Sequence, residues 1–359
     1  MMPVFELLRD DDEARTGNQI LSRPGRILLA VGILGLAAAG PIAGSIQPFW
    51  VNLLVRMLAF ALLALSLDFV FGYAGLLSFG HAAMYGAGGY TAALLVGQVT
   101  PNALVVLPAS VLVGVVVAAL IGWLSVRARG IYFAMLTLAF AQLLYVVVFT
   151  DLPATIAGAE TVTGGDNGLY GIGSYELAGV GFGDPLAYYF LTLALVALSL
   201  AGLIRLANSP FGRVIQGVRE NEDRIEFIGY NVQRYKVIAF AISGGFAGLA
   251  GGLYVPFQSV ANPGLLHWTV SGELVVMVLL GGMGTLWGPM VGAGLVVFLE
   301  DRLGGVASWE VILGTLFVLV VIFAPRGIAG ALISLRDDPS GAVDSVKEAL
   351  KNYVREVRD

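Results

Sequence analysis

The sequence predicts an all-α polytopic membrane protein, with about ten transmembrane helices and glycine-rich breaks in some of them. Of its 359 residues, 57% are hydrophobic and 13% are charged. The charged fraction is about half that of a soluble domain, where charged residues make up about 25%. Apolar stretches of the length that crosses a bilayer recur from residue 27 to residue 325. The 48 glycines suit close approach between helices in lipid.

The apolar stretches define a predicted membrane domain at residues 27–325, between two tails at 1–26 and 326–359. The single spans are expected at 27–47, 51–71, 74–98, 104–125, 131–150, 185–206, 237–256 and 308–325. The remaining stretch, 271–303, has Gly and Pro at its centre, which disfavour one straight helix. We expect two short or broken helices that meet near Gly284, and the stretch either crosses twice or re-enters. In the second tail, apolar residues at helical spacing predict an amphipathic helix at 340–359.

The positions of Lys and Arg predict the orientation in the membrane. Loops 151–184 and 257–270 contain neither residue, whereas segment 208–236 and both tails contain several. We therefore expect loop 151–184 outside the cell, and segment 208–236 and both termini in the cytoplasm. The location is the cell membrane, with the lipid bilayer as a partner.

The composition argues against several kinds of chemistry. The chain has no Cys and only two His, so it offers no disulfide, no thiol nucleophile and no histidine-based metal cluster. It shows no P-loop pattern for binding ATP. We expect no metal, no cofactor, no nucleic-acid partner and no enzymatic activity of its own.

Segment 208–236 is the main charged interruption of the membrane domain. It begins with Asn208-Ser209-Pro210, a polar cap before a proline, which indicates a helix start, and Gly229 is expected to end the helical run. An apolar face recurs at helical spacing and comprises Phe211, Val214, Ile215 and Val218. Its polar rim comprises Arg213, Arg219 and Glu220. The pattern fits a coupling helix that sits in a groove of a cytoplasmic ATPase, and equally an ordinary amphipathic loop on the lipid headgroups.

A weak internal two-fold repeat relates two glycine-rich stretches. Residues 72–80 resemble 281–288, and each follows an apolar helix and precedes a Gly- and Ala-rich one. Interrupted helices in internal repeats often mark the pathway of a transporter, although glycine-rich membrane helices also resemble one another by chance. The candidate pathway residues are Ser78, His81, Gly284 and Thr285. A lone histidine such as His81 also fits a packing role.

Charged and polar residues within predicted spans are candidates for function. Three stand out: Asp68, Gln142 and Glu273. For Asp68 the plainer expectation is to cap the turn that follows its helix, or to pair with Arg127 or Arg129. Arg56 and Glu273 both lie toward the outer ends of their spans and are a possible ion pair, although the sequence does not show that they are close.

Four ordered motifs resemble those of the branched-chain amino acid ABC permeases of the LivM/LivH type. They are the cytoplasmic loop (Ser209–Arg213, Arg219–Glu222, Gly229–Asn231 and Tyr235–Lys236), Gly72–His81, Gly281–Thr285 and Phe323–Gly327. The resemblance covers about residues 50–330. One stretch departs from it, because Asp223, Arg224 and Ile225 stand where the family usually has two alanines.

The resemblance implies the permease subunit of an importer for branched-chain or related small amino acids. The expected partners are cytoplasmic ABC ATPase subunits, a second permease subunit in a heterodimer, and an extracytoplasmic solute-binding protein. A permease of the same type for urea or short amides is an alternative. Alternatives of other classes are a secondary transporter, for which the spans hold few midplane carboxylates, and a channel or structural membrane module.

Overall fold

The computed structural model describes residues 23–177, 179–305, 311, 314–315, 318 and 327–330. The predicted tail helix at 340–359 lies outside the described residues, and so does most of the span predicted at 308–325. The helices before the loop at 158–184 are α1 (Arg23–Ile46), α2 (Pro48–Ala74), α3 (His81–Gln98), α4 (Ala103–Ser125), α5 (Ile131–Phe149) and α6 (Leu152–Ala157). Those after it are α7 (Pro185–Ala207), α8 (Pro210–Glu220), α9 (Glu222–Phe227), α10 (Val232–Gln258), α11 (Trp268–Gly281) and α12 (Trp287–Leu303).

Five of the described helices, α2, α4, α5, α7 and α10, are long and apolar enough to cross a membrane, by length and composition. Shorter apolar stretches are found in α1 and α11. The mainly helical fold agrees with the prediction, while the count of about ten spans and the internal repeat stay predictions.

Helix α10 lies at the centre of the helix packing. It contacts α2, α3 and α4, while α2 also packs against α7, α11 and α12. The closest approaches use glycine: a Cβ atom at Gly88 would overlap the backbone of Gly248, and one at Gly114 would overlap that of Gly244. These contacts bring the backbones of α3, α4 and α10 together, which a larger side chain would prevent.

Two breaks interrupt the helices where the sequence is rich in glycine. The helix expected at 74–98 begins only at His81, because α2 continues to Ala74 and left-handed Gly75 (φ 70°) ends it. The second break, residues 282–286, separates α11 from α12, as predicted. Gly284 there has φ 81°, a conformation that glycine adopts without strain.

One end of the helix bundle, which we call the acidic-loop end, carries the loops at 99–102, 158–184 and 259–267. A short antiparallel ribbon joins two of these loops, because β1 (Leu169–Tyr170) pairs with β4 (Val260–Ala261). A second ribbon lies within 158–184, where β2 (Glu176–Leu177) pairs with β3 (Val180–Gly181). Pro263–Leu266 forms a 3-10 turn before α11. The opposite end, which we call the basic-loop end, carries residues 126–130 and 208–231.

Helices α4 and α5 present large apolar side chains on the outside of the bundle. The exposed members include Leu112, Val116, Leu120, Trp123, Met135, Leu143 and Val146. An apolar surface of this kind suits contact with lipid.

Candidate functional site

The charged segment begins as the sequence predicts and then divides. Ser209 is the N-cap of α8, with its Oγ atom accepting a hydrogen bond from the N–H of Gly212 at 3.2 Å, and Pro210 occupies the first turn. The helix ends at Glu220, because Asn221 is extended and its side chain caps α9 by accepting from the N–H of Arg224 at 2.9 Å. Segment 208–236 therefore holds two helices before Gly229, where one run was expected.

The apolar face of α8 is turned toward the chain itself. Ile215 and Val218 are 1% and 2% exposed, and the ring of Phe211 stacks on that of Tyr235, with centroids 5.4 Å apart. Val214 is half-buried. These residues attach α8 to the bundle, which corrects the expectation that they face a partner's groove. Their packing reflects the hydrophobic gain from covering an apolar stripe within the same chain.

The outward surface of the segment combines charge with two apolar side chains. Arg213 and Glu220 are exposed on α8. At the end of α9, Phe227 is 91% exposed and Ile228 is 66% exposed. This pair was not among the residues predicted from the sequence. The available signal was two adjacent large apolar residues in a charged segment, directly before Gly229.

Ion pairs hold α9 against its neighbours. Glu222 lies 3.4 Å from Arg129 and forms a second ion pair with nearly buried Lys236, while Asp223 lies 3.3 Å from Arg129. Arg129 follows α4 and Lys236 belongs to α10, so α9 is connected to two membrane helices.

Arg219 links α8 to the first helix break. Its guanidinium donates a hydrogen bond to the carbonyl oxygen of Gly72. A Cβ atom at Gly75 would lie 3.0 Å from the Cγ atom of Arg219, and one at Gly284 would lie 3.6 Å from its Nη1 atom. The Arg219 side chain therefore lies beside both breaks.

Asp68 joins the two breaks directly. Its fully buried carboxylate accepts hydrogen bonds from the N–H groups of Gly284, at 2.6 Å, and Leu286, at 3.0 Å. Neither of the roles expected from the sequence applies, since Arg129 pairs with α9 and the guanidinium of Arg127 lies 6.0 Å from the ring centroid of Trp123. Asp68 instead satisfies buried donors of a non-helical stretch, where Leu286 adopts a positive φ of 61°.

The four candidate pathway residues lie at or next to the breaks. Ser78 accepts a hydrogen bond from the N–H of Gly80, and Thr285 accepts one from that of Gly288, both at 3.0 Å. Both side chains are buried and stabilise the turn before the next helix. His81 is also buried, with its Nε2 atom 2.8 Å from the Oγ atom of Ser243.

Arg56, Glu273 and Gln142 are the remaining polar residues of the spans, and the ion pair expected between Arg56 and Glu273 is not formed. Arg56 forms its ion pairs with two residues of α12, at 3.7 Å from Glu300 and 3.9 Å from Asp301, and not with Glu273. The buried Oε1 atom of Gln142 has no hydrogen-bond partner among the described residues.

The amino-acid sequence is similar to those of known membrane permeases. Residues 49–324 match the family described as "Branched-chain amino acid transport system / permease component". The high-affinity branched-chain amino acid transport system permease protein LivM of Escherichia coli (strain K12) is 30% identical over 325 residues, covering 84% of this chain and 74% of that protein. A probable LivM permease of Methanocaldococcus jannaschii is 27% identical, over 64% of this chain and 74% of that protein.

A second group of relatives carries the name LivH. The LivH permease of Salmonella typhimurium is 25% identical over 285 residues, covering 76% of this chain and 91% of that protein. No solved structure matches the chain at a significant level.

Proposed function

Because the chain belongs to the family of permease components of branched-chain amino acid transport systems, we propose that it is the membrane permease subunit of an ATP-driven importer for branched-chain or related small amino acids. ATP hydrolysis then takes place on separate ATPase subunits. A second permease subunit and an extracytoplasmic binding protein complete the assembly. One observation carries the proposal beyond the family: a charged two-helix segment lies at one end of the bundle and contacts both helix breaks through Arg219.

We assign to α8 and α9 the coupling of the ATPase to the membrane helices. Their outward and inward surfaces have different roles. On the outward side, Arg213, Glu220 and the Phe227–Ile228 pair contact the ATPase. Apolar anchors of this kind, surrounded by polar residues, carry most of the energy in many interfaces. On the inward side, Phe211, Val214, Ile215 and Val218 fix α8 to the bundle, and Arg219 transmits its displacement to the breaks.

The orientation follows from the same assignment. The basic-loop end lies in the cytoplasm with both termini, and loop 151–184 faces the binding protein outside. In this arrangement α11 and α12 form a hairpin, because Gly281 lies against Gly288 and Gly292 against Met277. Its tip, residues 282–286, approaches the cytoplasmic side. The breaks, with Ser78, His81, Gly284 and Thr285, border the translocation pathway.

Co-purification with the ATPase subunits of the same organism tests this assignment. Phe227→Ala should weaken ATPase retention and abolish the hydrolysis stimulated by loaded binding protein, because it removes the most exposed anchor. Ile156→Ala is a matched control, since Ile156 is 79% exposed at the acidic-loop end. Normal retention and normal stimulation in Phe227→Ala would exclude this docking surface. Loss of ATPase retention in Ile156→Ala alone would indicate that the acidic-loop end faces the ATPase, which is the opposite orientation. Uptake of labelled leucine, with urea as the competing candidate, tests the substrate class.

A further inference from the structure

Two tyrosine hydroxyls bind the backbone of the central helix α10 near its end. Tyr175, in loop 158–184, donates a hydrogen bond to the carbonyl oxygen of Gly252 at 2.6 Å. Tyr188, in α7, donates one to the next carbonyl oxygen, that of Leu253, also at 2.6 Å. Both tyrosines are buried, and their rings are stacked with centroids 6.1 Å apart and planes 12° apart. The two side chains therefore form one packed pair.

Pro256 explains why α10 accepts a hydrogen bond from a side chain at Gly252. Proline has no N–H, so it cannot supply the hydrogen bond that the carbonyl four residues earlier normally accepts in a helix. Pro256 lies inside α10, and the carbonyl four residues earlier belongs to Gly252, which is buried. A buried carbonyl without a donor costs free energy. The Tyr175 hydroxyl supplies the missing donor, and the proline therefore makes the end of α10 depend on a loop.

The tyrosine pair attaches α10 to elements outside its glycine-packed group. Helices α3, α4 and α10 approach one another through glycine, whereas α7 packs mainly against α2. Tyr188 connects α7 to α10. The loop at Tyr175 is itself anchored, because the carbonyl oxygen of Tyr175 accepts a hydrogen bond from the N–H of Phe182 at 2.8 Å. The N–H of Glu176 donates to the carbonyl oxygen of Pro101 at 2.9 Å, which holds the loop against the start of α4.

A cavity of about 310 Å³ lies where α7 meets the end of α10, a contact that we call the α7–α10 seam. Asn52 of α2, Tyr188 of α7 and Pro256 of α10 contribute to its wall, and Ser174 contributes from the loop. Asn52 is exposed, so the cavity reaches the surface at the acidic-loop end. Separation of α7 from α10 would enlarge this cavity, and the two tyrosine hydrogen bonds oppose that separation.

We propose that Tyr175 and Tyr188 are gating residues, which hold the α7–α10 seam closed at the acidic-loop end until the loaded binding protein docks there. A single hydrogen bond contributes only a small net free energy, so docking can release the pair. Water from the cavity then replaces the hydroxyls at the two carbonyls. This inference rests on the proposed function, because it needs a binding protein that drives a change of access.

Thiol labelling at position 192 measures the opening of the seam, because the chain contains no cysteine of its own. Thr192 is fully buried one turn along α7, and its hydroxyl donates to the carbonyl oxygen of Tyr188 at 2.9 Å. Residues four apart share a helix face. The labelling rate of Thr192→Cys is measured with a small maleimide on the permease–ATPase complex in nanodiscs, with and without loaded binding protein.

With both tyrosines in place, loaded binding protein should raise the labelling rate about fivefold or more. In Tyr175→Phe and in Tyr188→Phe, the rate should already be about fivefold higher without binding protein, since each variant loses one hydrogen bond of the closed state. If one of these variants fails to assemble, the other variant and the response to binding protein still decide.

Tyr189→Phe is the matched control. Tyr189 is the next residue of α7 and is also fully buried, but its hydroxyl donates to the carbonyl oxygen of Leu36 in α1, at 2.5 Å. This variant loses the same kind of hydrogen bond without changing the contact with α10. Its labelling should therefore stay slow without binding protein.

Pro256→Ala tests the role of the proline. Alanine restores the N–H that can donate to Gly252 within the helix, so the carbonyl no longer gains a partner when the seam opens. Adding Pro256→Ala to Tyr175→Phe should return labelling close to the slow rate, whereas adding it to Tyr188→Phe should not. A double variant of Tyr175 and Pro256 that is labelled as fast as Tyr175→Phe alone would contradict this account of the gate.

Two further results would overturn the gate: labelling that does not respond to loaded binding protein when both tyrosines are present, or equal rates in Tyr188→Phe and Tyr189→Phe. Uptake of labelled leucine by the complete transporter separates these failures from a failure of the proposed function. If leucine is taken up, the proposed function stands without the gate. If it is not, the proposed function itself is contradicted.

Discussion

The carboxylate of Asp68 accepts a hydrogen bond from the N–H of Gly284, at 2.6 Å, across 216 residues of sequence. This contact connects the end of α2 with the tip of the α11–α12 hairpin. The same carboxylate accepts a hydrogen bond from the N–H of Leu286, so one side chain holds the middle and the end of the non-helical stretch 282–286.

Replacing Asp68 with Ala should destabilise the protein by about 2–6 kcal/mol, because it leaves two donors without a partner and each buried donor of this kind costs about 1–3 kcal/mol. The measurement is thermal unfolding in detergent. Ser66→Ala is the control: Ser66 is equally buried, but its hydroxyl donates only to Leu63 in its own helix. Equal losses in the two variants would show that the contact with the second break contributes nothing.

Arg219→Gln should reduce leucine uptake about tenfold or more while the ATPase stays bound, because a charged hydrogen bond to the last turn of α2, next to the first break, is lost. Arg224 lies in the same segment, is exposed, and gives the matched control Arg224→Gln. Uptake and ATPase retention are measured on the same preparations. Normal uptake by Arg219→Gln would show that transport does not depend on the contact between α8 and the breaks.

Gly248→Ala should lower stability by about 1–3 kcal/mol through overpacking. Its Cβ atom would overlap the carbonyl oxygen of Ser110 in α4, and backbone cannot yield as a flexible side chain can. Gly272→Ala, where a Cβ atom meets nothing within 4 Å, should leave stability unchanged or raise it slightly. The two unfolding temperatures give the comparison, and a similar change in both would contradict the close packing.

Asp151 should make the stability of the acidic-loop end depend on pH. Burial acts to raise the pKa of this carboxyl, but hydrogen bonds from Thr163, Val162 and Thr161 outweigh it and hold the pKa well below its ordinary value of 3.8. A depressed pKa stabilises the fold above the unfolded value, and this stability disappears as the pH falls through the folded value.

The stability difference between the unmodified protein and Asp151→Asn should therefore be constant between pH 5 and pH 8, and should shrink below about pH 4. Thermal unfolding across this range measures it. A difference that grows on acidification would contradict the hydrogen-bonded carboxylate.

Single cysteines test the orientation, because the chain contains no other cysteine. Glu160 and Gln233 are both exposed, at opposite ends of the bundle. In intact cells, Glu160→Cys should react with an impermeant thiol reagent and Gln233→Cys should not. Permeabilised cells, in which both should react, provide the control, and the reverse labelling would place the basic-loop end outside.

Much of the helix layout was predictable, since apolar length and the Ser209–Pro210 cap depend only on nearby residues. The break near Gly284 was predictable for the same reason. The Asp68–Gly284 contact was not, because it joins residues far apart in sequence. The helical spacing of the apolar residues in α8 correctly predicted a helix. It did not indicate whether the same chain or a partner packs against those residues. Asp223 lies in the stretch where the resembled family usually has two alanines, and it pairs with Arg129. That ion pair was not predictable, because the two residues are far apart in sequence.

The glycine contacts among α3, α4 and α10 have a mechanical consequence. Where Gly88 meets Gly248, no free volume remains for one helix to slide or rotate past another. We therefore expect these three helices to move together as a rigid body. The non-helical stretches at 75–80 and 282–286, the second of which is held by Asp68, are then the expected hinges beside this rigid body.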